Sequence, residues 1–173
     1  MNGGVMATQQ LTLDDLSAMS FEDLETLYRS GSVPADLAVL DNKPKGRMLA
    51  VRGLDKTPLS SLLKLVSKLP VFPWDGKTLT ADDAQSGQGI NRIQLGVSMD
   101  WFPFKTRVET SVIDAKPTIV LDYEQPGNPW FIRKIHDELR EVSPGIFVGP
   151  AMWKRSESDP ANVLWFALDA TGA

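Results

Sequence analysis

Few side chains in this 173-residue chain can do chemistry, because it has no cysteine and a single histidine, His136. Zinc sites that need several Cys or His ligands are excluded. Disulfides, thiol redox chemistry and cysteine nucleophiles go with them. A Ser-His-Asp triad would have to use His136. Carboxylate-bound Mg²⁺ or Ca²⁺ is allowed by composition, but no EF-hand pattern is present. No P-loop, G-x-S-x-G or H-E-x-x-H motif occurs. Gly87-Gln88-Gly89 lacks the third glycine and the strand-to-helix setting of a dinucleotide loop. No cofactor and no metal are expected.

The remaining polar candidates each have a functional and a plain reading. Tyr123 ends a strand before Gln125-Pro126-Gly127, where its hydroxyl can meet a ligand or pin the backbone. Arg107 and Glu109 share one strand face with Lys105 and Ser111. Facing inward, they would set an acid and a cation in a lumen of low dielectric, where general acid-base chemistry is tunable. Facing outward, they form a solvated surface, which the apolar Phe102, Phe104 and Val108 opposite them favour. His136, Asp137, Glu138 and Arg140 can form a base with its orienting carboxylate. On a helix they make a charged surface through i, i+4 pairs. On a strand Glu138 and Arg140 share one face, Asp137 and Glu141 the other, and one of those pairs points inward. Tyr123, Arg107 and Glu138 are the candidate catalytic residues.

Lys77 and Asp75 flank Gly76 and point to the same side of a strand. A lysine at a pocket mouth binds a carboxylate head group as a point charge, and a surface lysine is the plain alternative. The aromatic side chains Trp74, Trp101, Phe102, Phe104, Trp130, Phe131, Phe147, Trp153, Trp165 and Phe166 can line an apolar cavity. Otherwise they are core, each burying about 150–250 Å². Trp74, Lys77, Trp101, Phe104 and Trp153 are the candidate ligand-binding residues.

The elements that must position these groups are mainly strands. Thr12 and Ser20 each precede an acidic first turn and predict two short helices, the second closed by Gly31. Strands are expected over Arg47 to Arg52, Trp74 to Leu79, Ile90 to Val97, Trp101 to Ile113, Thr118 to Tyr123, Ile146 to Trp153 and Val163 to Asp169. The spacing of Leu59, Leu62, Leu63, Val66 and Leu69 predicts a helix from Pro58 to Pro70. Thr80 to Gly89 reads as a mobile surface loop. Asn128-Pro129 reads as a helix start, with Ile132, Ile135, Leu139 and Val142 in helical spacing, yet Asp137 to Val142 fits an edge strand equally. Seven or eight strands with short connections favour a closed antiparallel β-barrel, mainly β, with N-terminal helices. An open α+β sandwich is the alternative. A barrel of about eight strands has an interior that can hold one small ligand.

Two segments carry a resemblance. Trp74-Asp75-Gly76-Lys77 resembles the W-x-G-K signature of small bacterial lipocalin-like (calycin-type) barrels. Asn128 to Gly149 resembles a recurring N-P…D-E-L-R-E-V-x-P-G block of such proteins, and the likeness spans most of Gly46 to Leu168. It implies a barrel with a pocket. Proteins of that type usually hold an apolar small molecule, and a few similar barrels in natural-product pathways are cofactor-free cyclases. The resemblance does not choose between these.

The expected organisation is a disordered tail over 1–10, a helical segment over 11–45 packing on the barrel, and the barrel over 46–173. The leading reading is binding of an apolar or amphipathic small molecule in the lumen. The alternative is a cofactor-independent cyclase or isomerase acting there on a polyketide-like substrate, and a packed barrel serving as an interaction module is a third. A net charge of −4 argues against nucleic acid as a partner. No apolar run of about 18 residues predicts a membrane span. Met1 to Gln10 lacks the features of a signal peptide, so a cytoplasmic location is expected. A homodimer is left open.

Overall fold

The computed structural model describes residues 10–51, 74–156 and 159–172. The expected tail lies outside them except for Gln10, as does the helix expected from Pro58 to Pro70. Eight strands form the body: β1 Lys45–Val51, β2 Trp74–Ala81, β3 Ser86–Leu95, β4 Val97–Thr110, β5 Pro117–Asp122, β6 Ile135–Ser143, β7 Ile146–Lys154 and β8 Pro160–Asp169. Each pairs antiparallel with its neighbour in sequence, and β1 returns to β8 from Lys45↔Asp169 to Val51↔Leu164. The sheet is a closed barrel, with seven of its eight seams formed by extended ladders.

The seam between β1 and β2 is thin. One Cα pair, Lys45↔Gly76, joins the strands, and Asn42 pairs with Leu79 just before β1. The Arg92 guanidinium reinforces it by donating to the carbonyls of Pro44 (2.9 Å), Asp75 (3.0 Å) and Lys77. Buried carbonyls of an irregular segment need such partners.

Two expectations change. The polar segment Thr80 to Gly89 is not a loop. β2 runs to Ala81, a turn over 82–85 follows, and β3 starts at Ser86. Asp83 closes the turn by accepting from the backbone N–H groups of Gln85 and Ser86 at 2.8 Å each. Gly89 sits in the strand because the Phe104 ring fills its side-chain space: a Cβ there would lie 2.5 Å from that ring. The second concerns Asn128 to Val142, where the strand alternative for Asp137 to Val142 holds and the helix does not. Only Ile132–Lys134 is helical, as a 3-10 turn, and Ile135–Ser143 is strand β6. Glu138 and Arg140 on this strand are fully buried on one face, Asp137 and Leu139 on the other. Burial on both faces hides the alternation that would have identified the strand.

Helices α1 Leu13–Ser17 and α2 Phe21–Ser30 both carry the expected caps, each a reciprocal capping box, Thr12 with Asp15 and Ser20 with Asp23. Their Leu16, Leu24 and Tyr28 cover Ile146, Val148, Trp165 and Ala167 on the outer face of β7 and β8. Gly31 ends α2 with extended backbone, φ −72°, and not in the left-handed conformation. Glycine is required there because a Cβ would lie 2.8 Å from the Glu141 carbonyl oxygen, where the chain pairs with β6 through Ser32. A 3-10 turn, Leu37–Leu40, then buries Leu37 and Leu40 in the interior cluster.

A polar clamp fastens α2 to the barrel. The buried Arg140 guanidinium makes two bonds to Asp114, 2.7 and 2.8 Å, donates to the Pro117 carbonyl at 2.8 Å, and lies 4.4 Å from the Tyr28 ring centre. Glu138 beside it accepts from the Tyr28 hydroxyl, from Ser111 Oγ at 2.6 Å and from the Val112 N–H at 2.8 Å.

Replacing Asp114 with Ala leaves Arg140 buried without its anion, so urea unfolding should show a loss of about 3–5 kcal/mol. Removing the exposed Arg29–Glu25 pair with Arg29→Ala should cost less than about 1 kcal/mol. The Arg140 hydrogen bonds pull the Asp114 carboxyl from its ordinary 3.8 down to about 2. Its contribution is therefore complete above pH 3.8 and is lost as pH falls toward 2. That part of the acid limb should be absent from Asp114→Ala.

Candidate functional site

Strand alternation sends Lys77 and Leu79 of β2, Phe104 and Thr106 of β4, Ile119 and Leu121 of β5, Asp137 and Leu139 of β6, and Phe166 of β8 toward the interior. Tyr123 joins them one residue past β5. Most of these form an apolar core. Lys77 does not, and the polar groups of Asn91, Tyr123 and Asp137 are arranged around it.

Lys77 is 2% exposed. Its backbone is set by Gly76, whose φ is +120° and where a Cβ would lie 2.4 Å from the Pro44 carbonyl oxygen. The ammonium has three N–H donors. They reach Asn91 Oδ1 at 2.8 Å, the Tyr123 hydroxyl oxygen at 2.6 Å and Asp137 Oδ2 at 3.4 Å. Tyr123 donates its own proton to Asp137 Oδ2 at 3.1 Å. Asn91 Nδ2 donates to the Phe102 carbonyl and to the Tyr123 hydroxyl, both at 3.3 Å. Trp74 Nε1 donates to Asn91 Oδ1 at 3.2 Å. Four ring centres surround the ammonium, Phe104 at 5.0 Å, Phe166 at 5.1 Å, Trp74 and Tyr123 at 5.4 Å. Such cation–π contacts favour the charged form in a dry site.

Burial opposes that charge. It pushes the Lys77 ammonium down from its ordinary value, against the pull of Asp137. It pushes the Asp137 carboxyl up, against Lys77 and Tyr123. Tyr123 is held well above its ordinary value by burial and by the nearby Asp137 charge. All three groups are driven toward their neutral forms, which brings Lys77 and Asp137 closer in proton affinity and makes Tyr123 a weaker acid. Asp137 Oδ1 is buried and has no hydrogen-bond partner among the described residues.

Next to this cluster the barrel end is apolar. Where β1 and β7 finish and β2, β6 and β8 begin, Trp153 and Val163 pack with the partly exposed Met48, Phe131 and Ile135. An open depression of about 630 Å³ lies elsewhere, bounded by Asp41, Asn42, Lys43, Thr78, Leu79, Thr80 and Gly172, and it contains none of the unpartnered buried groups.

Of the candidates read from sequence, Trp74, Lys77, Phe104 and Tyr123 converge in the interior cluster, and Trp153 stands at the apolar end. Lys77 is inside the barrel and already ion-paired, not at a pocket mouth. Trp101 is 43% exposed and stacks at a tilt on Phe102. Arg107 lies on the outer face, bonded to Glu109 and to Asp122 at 2.9 Å. Its parity on β4 is opposite to that of Phe104 and Thr106, so it cannot reach the lumen. Glu138 is also outside, beneath α2, with His136 Nε2 at 3.2 Å. Burial works to raise its carboxyl, but bonds from His136, Ser111 and Tyr28 outweigh that and hold it below the usual range. Tyr123, Arg107 and Glu138 are therefore not brought together.

The interior carboxylate is Asp137, one residue before Glu138. The strand reading of that segment had offered it, on the face it shares with Glu141. Asn91 carried no signal, because a bulge between Gly89 and Asn91 shifts the parity of β3. Among the described residues no group of three or more His, Cys, Asp or Glu is placed to hold a metal. None of the described helices is long and apolar enough to cross a membrane.

No protein-family model and no curated protein matches the chain. A solved structure described as that of a protein from Thermomonospora curvata is similar over 87% of each chain, with a TM-score of 0.54 and 16% identity. At that identity the likeness is one of fold, and it supports the barrel.

The Lys77–Asp137 pair should not be a source of stability. Lys77→Met or Asp137→Ala alone leaves a buried charge and should lose about 3–5 kcal/mol in urea unfolding. Lys77→Met with Asp137→Leu should be neutral or up to about 4 kcal/mol more stable than the natural protein. Equal losses in single and double variants would make the pair a structural device.

Proposed function

We propose that the protein binds an apolar or amphipathic small molecule inside the barrel. The carrying observation is the Lys77–Asn91–Tyr123–Asp137 cluster, buried in an aromatic interior and left with one carboxylate oxygen unpartnered. An apolar filling would stabilise the barrel better, so a polar set held there points to a use. Small-molecule sites have this composition: mostly apolar walls with a few convergent polar groups. Trp74, Phe104 and Trp153 supply wall, and the cluster supplies the polar end. The resemblance of Trp74 to Lys77 and of Asn128 to Gly149 to lipocalin-like barrels agrees with this reading.

A second reading, a cofactor-independent cyclase or isomerase, draws support from Tyr123. Its hydroxyl touches an amine and a carboxylate that are both driven toward neutrality, which places a hydrogen-bonding phenol between a base and an acid where a substrate could lie. The barrel would hold the reacting chain in a folded conformer.

Tryptophan emission should change saturably, at one ligand per chain, during titration with fatty, terpenoid or polyketide-like compounds. Ala151 pairs with Asp137 in register and packs against the interior cluster. Ala151→Phe should abolish the change while the variant still unfolds cooperatively. Emission unmoved by every class, together with an experimental structure whose interior is filled by side chains, overturns the binding reading. Release of altered ligand that stops in Tyr123→Phe would favour the enzyme.

A further inference from the structure

We infer that the polar end of the ligand is an uncharged hydroxyl, an alcohol or phenol, bonded to Asp137 Oδ1. The inference rests on the binding reading above and narrows it.

The hydrogen-bond inventory of the cluster decides the chemistry. All three Lys77 donors are used, on Asn91, Tyr123 and Asp137. The Tyr123 proton is used on Asp137. Both Asn91 N–H groups are used, on Phe102 and Tyr123. The Trp74 N–H is used on Asn91. Nothing is left to receive a carboxylate or phosphate, which needs several donors at once. What remains is an acceptor, Asp137 Oδ1, which no described residue bonds and whose side chain is only 5% exposed. A buried carboxylate oxygen without a donor is costly, and a ligand O–H removes that cost.

Charge weighs against an ionic ligand. Lys77 and Asp137 sum to zero. An ammonium ligand would place a second cation beside Lys77 in a site with little water to screen it. An anionic ligand would face Asp137. A neutral ligand leaves the balance unchanged. The hydroxyl also tolerates either position of the shared proton. Lys77 bonds Asp137 through Oδ2, so a proton passing between them lands there, and Oδ1 remains an acceptor for the hydroxyl in both states. A carboxylate ligand has no proton to give that oxygen.

The fold gives the apolar body of the ligand a direction. Across from Asp137 stands Ala151, a side chain that takes up little room. Two residues along β6, about 7 Å away, Ile135 pairs with Trp153 in the apolar end of the barrel. A body lying along that line keeps its hydroxyl at Asp137 and its apolar length against Ile135, Trp153 and Met48.

The test is a matched series on the full chain, read by calorimetry or by displacement of a fluorescent reporter. One set is dodecanol, dodecane, dodecanoate and dodecylamine. The other is 2-naphthylmethanol, 2-methylnaphthalene, 2-naphthoate and 2-naphthylmethylamine. In at least one set the alcohol should bind about ten- to a hundredfold tighter than its three partners. In the Lys77→Met, Asp137→Leu double variant, alcohol and hydrocarbon should bind alike. Equal binding of all members by the natural protein overturns the hydroxyl while leaving the binding reading intact. Preference for the acid overturns it in favour of Lys77 as an anion anchor. Binding of no member overturns the binding reading and this inference with it.

Discussion

A lysine ammonium enclosed by a β-barrel must be given acceptors by the strands around it, because water cannot supply them. That requirement organises the interior of this protein. Lys77 comes from β2, Asn91 from β3, Tyr123 from just past β5 and Asp137 from β6, so the acceptors arrive from three separate elements. Each must sit on the inner side of its strand. A slip of one residue in any of those pairings would turn the acceptor outward and strand the charge. The barrel register and the polar cluster thus specify one another. The strand carrying the lysine is itself pinned by Arg92, whose guanidinium holds the carbonyls of Pro44, Asp75 and Lys77 across the thin β1–β2 seam.

Strand β6 shows how the outside of the barrel is tied to the inside. Its inward residue Asp137 faces Lys77, and its outward residues Glu138 and Arg140 are buried beneath α2. The outward pair is fully bonded, by Tyr28, Ser111, Val112, Asp114 and Pro117. The inward carboxylate keeps one oxygen without a partner among the described residues. Two buried carboxylates on adjacent residues therefore have opposite accounts. Glu138 is satisfied and serves to fix α2, which lends rigidity to the strand from which Asp137 projects. Sites on rigid, doubly packed strands hold side chains more closely than sites on loops.

Much of this architecture was legible in the sequence. Capping boxes at Thr12 and Ser20 are local chemistry and depend on nothing distant. The two faces of β4 could be read from its alternation, which is why Phe104 was rightly separated from Arg107. Legibility failed where tertiary packing replaced local signals. Gly87 and Gly89 look like loop residues until the Phe104 ring is seen to occupy the space beside Gly89. β6 lacks alternation because both of its faces are covered, and its helical spacing was accidental. Parity was the decisive gap: Glu138 and Asp137 lie on opposite faces of β6, and only packing shows that Asp137 is the one facing inward. The bulge before Asn91 hid the inward direction of that residue in the same way. Lys77 could be nominated from its neighbours, but its burial could not, since nothing local distinguishes a buried lysine from a surface one.

The clustering of aromatic rings around Lys77 sharpens the question of why the charge is retained. Phe104, Phe166, Trp74 and Tyr123 would pack well around a methionine of similar length, with no ammonium to desolvate and no need for Asn91 or Asp137. The rings soften the penalty through cation–π attraction, while burial pushes the lysine down and the aspartate up. Folding alone therefore gives a weak reason to keep the pair. Recognition gives a stronger one. Specificity inside an apolar cavity comes from polar groups that are left wanting when the wrong molecule enters, since each methylene discriminates only weakly while an unmet hydrogen bond discriminates strongly. Asp137 Oδ1 is such a group, and the network of Lys77, Asn91 and Tyr123 holds it in place.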